Sequence, residues 1–325
     1  MKFFENKEIK ENRRNDSIYW DIRPQKKNYE LVNESCSVNE DVLKWSEIAE
    51  KQIIEDAGDK ICHGRKYGDI IKNSIDINNL PFELVVEYIF YMFDGYSDYN
   101  DTINYDAWTD TSDWEDNKFK IRVQSPVIGD RLSAFYFIDS ITHEMEHIFS
   151  VITTKKNFRN NNIEEILYRR SDIYVHGGHS NSKTLEVAWM YYLSRWYERH
   201  AFTHGLYSSL SILRKTATNI ETIYDKFKET DQYKHLLRMK DFIDNYDSYY
   251  KTMISFFTIP KIMEDRQMVQ RYIKYHFGKS YLEHCYKKYA DACSKVINKV
   301  WEQKVSSTSQ YQVFETFGKR FHYQE

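Results

Sequence analysis

Helix breakers are scarce in this chain: its 325 residues include only 4 prolines and 10 glycines. That scarcity excludes collagen-like and proline-rich linker architectures and favours long regular elements, mainly helices. Cysteine is equally sparse. Cys36, Cys62, Cys285 and Cys293 form no C-x-x-C pair, so free thiols in a reducing compartment are expected. Long apolar runs are missing too. The longest, Leu84 to Phe93, is interrupted by Glu87 and is too short to span a bilayer. The start, Met1-Lys2-Phe3-Phe4-Glu5, turns charged at once and has no apolar segment of the secretory kind. There is no excess of positive charge either. A net charge of −3, with lysines and arginines scattered, leaves no electrostatic footprint for nucleic acid. The expectation is a soluble, cytoplasmic protein without a nucleic-acid or membrane partner.

What is present suffices for a core: 41% of residues are hydrophobic and 16% aromatic. The pattern reads as α+β and mainly helical, in three regions. Residues 1–36 form a polar N-terminal arm, residues 37–205 carry the candidate chemistry, and residues 206–325 form a helical C-terminal region. Ser37-Val38-Asn39-Glu40 reads as a capping box opening a helix to about Ala57. Ile75-Asp76-Ile77 reads as a short strand, and Pro81 as the start of a helix to about Phe93. The acidic, aromatic stretch Asp94 to Asp116 does not match a calcium loop and reads as a solvated loop. Lys118 to Val123 alternates as a strand. Further on, Thr218-Asn219-Ile220-Glu221 offers a helix cap, Pro260 separates helices, and Lys279 to Lys304 reads as one long helix. Abundant Lys, Asn, Ile and Tyr suit an AT-rich genome, such as that of a phage or a low-GC bacterium.

The segment richest in chemistry is His143-Glu144-Met145-Glu146-His147. It spells H-E-x-x-H. Ala134, Ile138, Ile141, Met145, Ile148 and Ile152 recur at helical spacing, so the motif lies on a helix buried along one side. Two histidines four residues apart share a helical face and can converge on one metal ion. Glu144 between them can take a proton from water. Glu146, about 200° further round the helix, is expected to point away from the metal.

The segment Ile141 to Phe149 resembles the zincin superfamily of zinc metallopeptidases. Uncharged Ile141, Met145, Ile148 and Phe149 follow that pattern; Glu146 departs from it. A broader likeness, over about residues 117 to 205, is to uncharacterised metallopeptidase-like proteins of bacteriophages. There a helical E-x-x-A, here Glu198-Arg199-His200-Ala201, follows the first motif. The resemblance implies a zincin-like catalytic core with a small sheet, Zn²⁺ as cofactor, and a peptide or protein substrate. It implies that the strand Lys118 to Val123 is an edge that pairs with an extended substrate. It makes His143, His147 and Glu198 the ligands of a gluzincin-like site, with Glu144 as general base. A phage origin would place the protein in the host cytoplasm or the virion, with a phage or host protein as partner.

Read from the residues alone, the third ligand stays open. Glu198, on a helix that Ser194 could cap, competes with Glu186, His176, His179, His200 and His204, or with no third protein ligand. His176 and His179 flank Gly177-Gly178 in the most glycine-rich segment, where they are candidate substrate or oxyanion contacts. Besides a metallopeptidase, the sequence admits a non-enzymatic phage structural or assembly protein that retains the fold.

Overall fold

The structure is a computed structural model. It describes residues 38–61, 70–93, 106–128, 131–132, 134–154, 163–176, 182–214, 217, 219–260 and 262–303. The N-terminal arm, Cys36, Cys62 and His179 lie outside these residues. The described elements run α1 (Glu40–Ile61), β1 (Ile70–Ile77), β2 (Glu83–Phe93), β3 (Asp106–Asp110), β4 (Lys118–Ile128) and β5 (Arg131–Leu132). They continue with α2 (Ala134–Thr154), α3 (Ile163–His176), α4 (Ser182–Leu193), α5 (Trp196–Leu213) and α6 (Ile220–Phe227). The last are α7 (Asp231–Asp244), α8 (Tyr250–Phe257), α9 (Arg266–His276) and α10 (Lys279–Glu302). This is a mainly helical α+β chain.

The chain divides into two compact units. Among the described residues, one comprises those within 38–154, 196–236 and 289–303, and the other those within 163–195 and 237–288. The boundary at residue 205 expected from sequence falls within α5.

The first unit holds the sheet, in the order β1-β2-β4-β3, with β5 pairing β4. β2 and β4 are parallel and the other pairs antiparallel. Glu83 to Phe93 is therefore a strand, not the helix that Pro81 suggested. Its residues alternate: Leu84, Val86, Tyr88, Phe90 and Met92 are buried, with half-buried neighbours between them. A period of two with aromatic and β-branched side chains outweighs the helix-start signal of proline. On the opposite face Glu87 pairs with Lys120 and Arg122 across the strands, at 2.5 and 2.7 Å. Arg122 in turn stacks over Trp108.

Two further expectations change. Lys118 to Val123 is a strand, but β4 lies inside the sheet, between β2 and β3. The edge on that side is β3, drawn from the stretch read as a loop. Acidic ends, Asp106 and Asp110, hid a strand of only 5 residues. The start of α1 also differs: Asn39 Oδ1 accepts from Asp41 N at 2.9 Å, so Asn39 does the capping.

The apolar face of the sheet packs against α1 and α2. Phe90 meets Phe137 edge-on at 5.8 Å, and Trp45 of α1 touches both Phe82 and Phe149. Ile138, Ile141, Met145 and Ile148 are buried as the sequence pattern required. The other side of α2 is covered as well. There α5 comes close, because Gly205 leaves room: a Cβ at that position would sit 1.8 Å from Asp139 Oδ1 and 2.8 Å from Asp139 O. Thr142 Oγ1 donates to Ser208 Oγ at 3.0 Å across the same contact. Gln232 donates to both Asp139 oxygens, at 3.1 and 2.9 Å. Burial first of all, with the charge of Asp231 adding to it and the Gln232 bond opposing, pushes the Asp139 carboxyl up to about 7.

The second unit is an aromatic helical core. Tyr191, Phe242, Phe256, Phe257, Tyr272 and Phe277 are all buried. Arg170 ties α3 to the end of α8 by donating to the carbonyls of Phe256 and Thr258, at 2.7 and 2.9 Å. Cys285 and Cys293, one in each unit, are both buried.

Candidate metal centre

The H-E-x-x-H motif occupies the middle of α2, and its two imidazoles converge: His143 Nε2 and His147 Nε2 lie 3.1 Å apart. Glu198, in the first turn of α5, completes the cluster. Its Oε2 lies 3.4 Å from His143 Nε2 and 3.6 Å from His147 Nε2. A metal bound at roughly 2.0–2.1 Å in tetrahedral geometry needs ligand atoms about 3.3–3.4 Å apart. The three observed separations bracket that value, so a zinc-sized ion fits between these atoms without moving a helix.

Charge makes the same demand. Glu198 is completely buried. A carboxylate withdrawn from water costs several kcal/mol unless positive charge meets it. Burial would raise the Glu198 carboxyl, but His147 and His143 hold it well below the usual carboxylate range. Burial would likewise lower His147, yet Glu198, with Glu144 and Glu146 behind it, pushes the imidazole up to about 9. The pocket thus favours positive charge opposite Glu198, from a protonated imidazole or from a metal ion.

The neighbours fix the rings. Phe202 packs on His143 with centroids 4.4 Å apart. The Tyr197 ring lies 6.2 Å from that of His147. Of the three candidate ligands, His147 is the most open, with 17% of its side chain exposed against 8% and 0% for His143 and Glu198. Glu144 is buried on the same helix, and Thr109 of the edge strand β3 reaches it. The Thr109 hydroxyl donates to Glu144 Oε2 at 2.5 Å.

Glu146 points away from this cluster, but not into solvent. It is buried, and Oε1 accepts from His200 Nδ1 at 2.8 Å, while Oε2 lies 3.6 Å from His204 Nε2. Burial would raise its carboxyl; His200 and His204 hold it below the ordinary range. His204 is fixed as the Nδ1–H tautomer. Nδ1 donates to His200 O at 3.0 Å, and Nε2 accepts from Asn39 N at 2.9 Å. Burial, opposed by Glu146, lowers its pKa in keeping with a neutral ring.

The other candidates fare differently. Glu186 belongs to the second unit, where it pairs with Arg238 at 3.2 Å. His176 is the last residue of α3, and the rest of the glycine-containing segment, with His179, lies outside the described residues. The Ser194 hydroxyl donates back to Tyr191 O at 2.6 Å, at the end of α4. Sequence reasoning missed Thr109, because nothing marks a short acidic strand as a neighbour of the motif. It also missed the burial of Glu146, although His200 and His204, four apart on one helix face, were a visible signal.

No family model matches this chain, and no curated protein or solved structure matches it either.

Proposed function

We propose that this protein is a zinc-dependent metallopeptidase of gluzincin-like design. The observation that carries the reading is the convergence of His143, His147 and Glu198, with pairwise separations of 3.1 to 3.6 Å, beside Glu144 on the same helix. Zinc held by these side chains supplies the Lewis acidity that polarises a carbonyl and activates water at neutral pH. Imidazole and carboxylate donors suit zinc among the available divalent ions.

The protein's own residues do the rest. Glu144 takes a proton from the attacking water at its carboxylate and returns it to the leaving amine. Thr109 holds Glu144 Oε2, leaving Oε1 for proton transfer. An extended peptide is recognised along β3, the edge strand that carries Thr109, by main-chain pairing. Approach is from the side of His147 and Tyr197.

A second reading rests on burial. His143 and Glu144 are 6% and 4% exposed. A metal so enclosed could serve to hold α2 and α5 together in a non-enzymatic phage structural or assembly protein. Metal analysis of the purified chain, joined to a peptide-library cleavage assay, separates the two. Metal-dependent cleavage supports the peptidase, and metal without cleavage supports the structural protein.

A further inference from the structure

Glu146, His200 and His204 repeat the composition of the first cluster with the helices exchanged. In the first cluster α2 provides two histidines four residues apart and α5 provides the glutamate. In the second, α5 provides the histidines, again four apart, and α2 provides the glutamate. The ligand atoms of the second group all lie within 4.8 Å of one another. His200 and His204 share one helix face, with ring centroids 4.6 Å apart.

An independent observation points to a missing positive partner. Glu146 is 3% exposed, and its Oε2 is buried without a hydrogen bond among the described residues. A buried carboxylate oxygen left this way costs about 1–3 kcal/mol or more. It faces the His204 ring, whose Nε2 is 3.6 Å away.

We propose that Glu146, His200 and His204 form a second metal site, separate from that of His143, His147 and Glu198. Two imidazoles and one carboxylate select a divalent ion of borderline softness, zinc or cobalt rather than calcium or magnesium. The ion takes His204 at Nε2, since Nδ1 is committed to the His200 carbonyl. It therefore displaces the Asn39 amide from Nε2, and the start of α1 gives up one hydrogen bond when the site fills. Only His200 is substantially open, with 26% of its side chain exposed, so the ion enters from that side. Filling the site pins α2 to α5 independently of whether the first cluster catalyses anything.

The test is titration of the metal-stripped full chain with Co²⁺, read by visible absorption and by metal analysis after desalting. The wild type should bind two equivalents, His143→Ala/His147→Ala should keep one, and His200→Ala should keep one. Joining the three substitutions should leave none. One equivalent in the wild type, lost in His143→Ala/His147→Ala and retained in His200→Ala, overturns the second site while leaving the first intact. If the double variant fails to fold, the comparison of wild type with His200→Ala decides: unchanged stoichiometry overturns the proposal. Amide exchange gives a further readout, since Asn39 N–H should exchange faster in the metal-loaded wild type but not in metal-loaded His200→Ala; equal rates with and without metal count against it.

Discussion

The hydroxyl of Thr109, on the edge strand β3, donates to Glu144 Oε2 at 2.5 Å. A strand at the edge of the sheet among the described residues thus holds the carboxylate proposed as general base. Hydrogen bonds to charged groups are worth about 1.5–3 kcal/mol. Thr109→Val should lower kcat about tenfold with little change in KM, because orientation of the base is lost while peptide pairing along β3 remains. Thr109→Ser should restore most of the rate. Equal kinetics for Val and wild type would remove Thr109 from the mechanism.

Glu146 points away from Glu144 and the first cluster, yet it is buried against His200. From helix geometry alone, Glu146→Gln would be silent. The structure buries that carboxylate against His200, so Glu146→Gln should destabilise the fold by roughly 1–3 kcal/mol, visible as a lower Tm, while the His143–His147–Glu198 cluster still takes up metal. An unchanged Tm would mean that the Glu146–His200 pair contributes nothing.

Those two residues show how far the sequence could be read. The motif helix, its apolar stripe and the pairing of His143 and His147 followed from spacing, because a helix imposes its period on side chains four apart. Glu198 came from resemblance, not from spacing, since nothing local says which distant carboxylate will return to the cluster. Pro81 signals a helix start, yet the period of two from Glu83 to Phe93 makes a strand there, and the acidic ends of β3 mask another. The burial of Glu146 depends on α5 lying against α2, which Gly205 permits and which no local pattern announces.

Gly205 is accordingly a sensitive position. A Cβ there would come 2.8 Å from Asp139 O, a backbone atom that cannot rotate away, so α2 and α5 must part by several tenths of an ångström. Gly205→Ala should cost about 1–3 kcal/mol, as overpacking typically does. It should also weaken metal binding, because α5 carries Glu198. Isothermal calorimetry and thermal unfolding read both effects. A variant with unchanged Tm and affinity would show that the helices have slack.

Metal binding should depend steeply on pH. In the metal-free chain, Glu198 and the neighbouring carboxylates keep a proton on His147 up to about pH 9, against burial, and metal must displace it. Glu198 stays ionised throughout, since its carboxyl is held well below the usual range. Apparent affinity should therefore rise about tenfold per pH unit from pH 6 to 8, with about one proton released per ion bound. The metal-free fold behaves oppositely: stability from protonated His147 is fully present below its ordinary pKa of 6.5 and is lost as pH rises through about 9. Calorimetry in buffers of different ionisation enthalpy counts the protons; an affinity flat across this range would contradict the charge balance.

The most direct test of metal-activated hydrolysis compares zinc-loaded wild type with zinc-loaded Glu144→Gln on a broad peptide library, with metal content measured on the same samples. The wild type should cleave. Glu144→Gln should keep its zinc and its Tm while cleavage falls by about 10²–10⁴-fold, the usual contribution of a general base. Undiminished cleavage by Glu144→Gln, or none by a zinc-loaded wild type, would contradict the peptidase account.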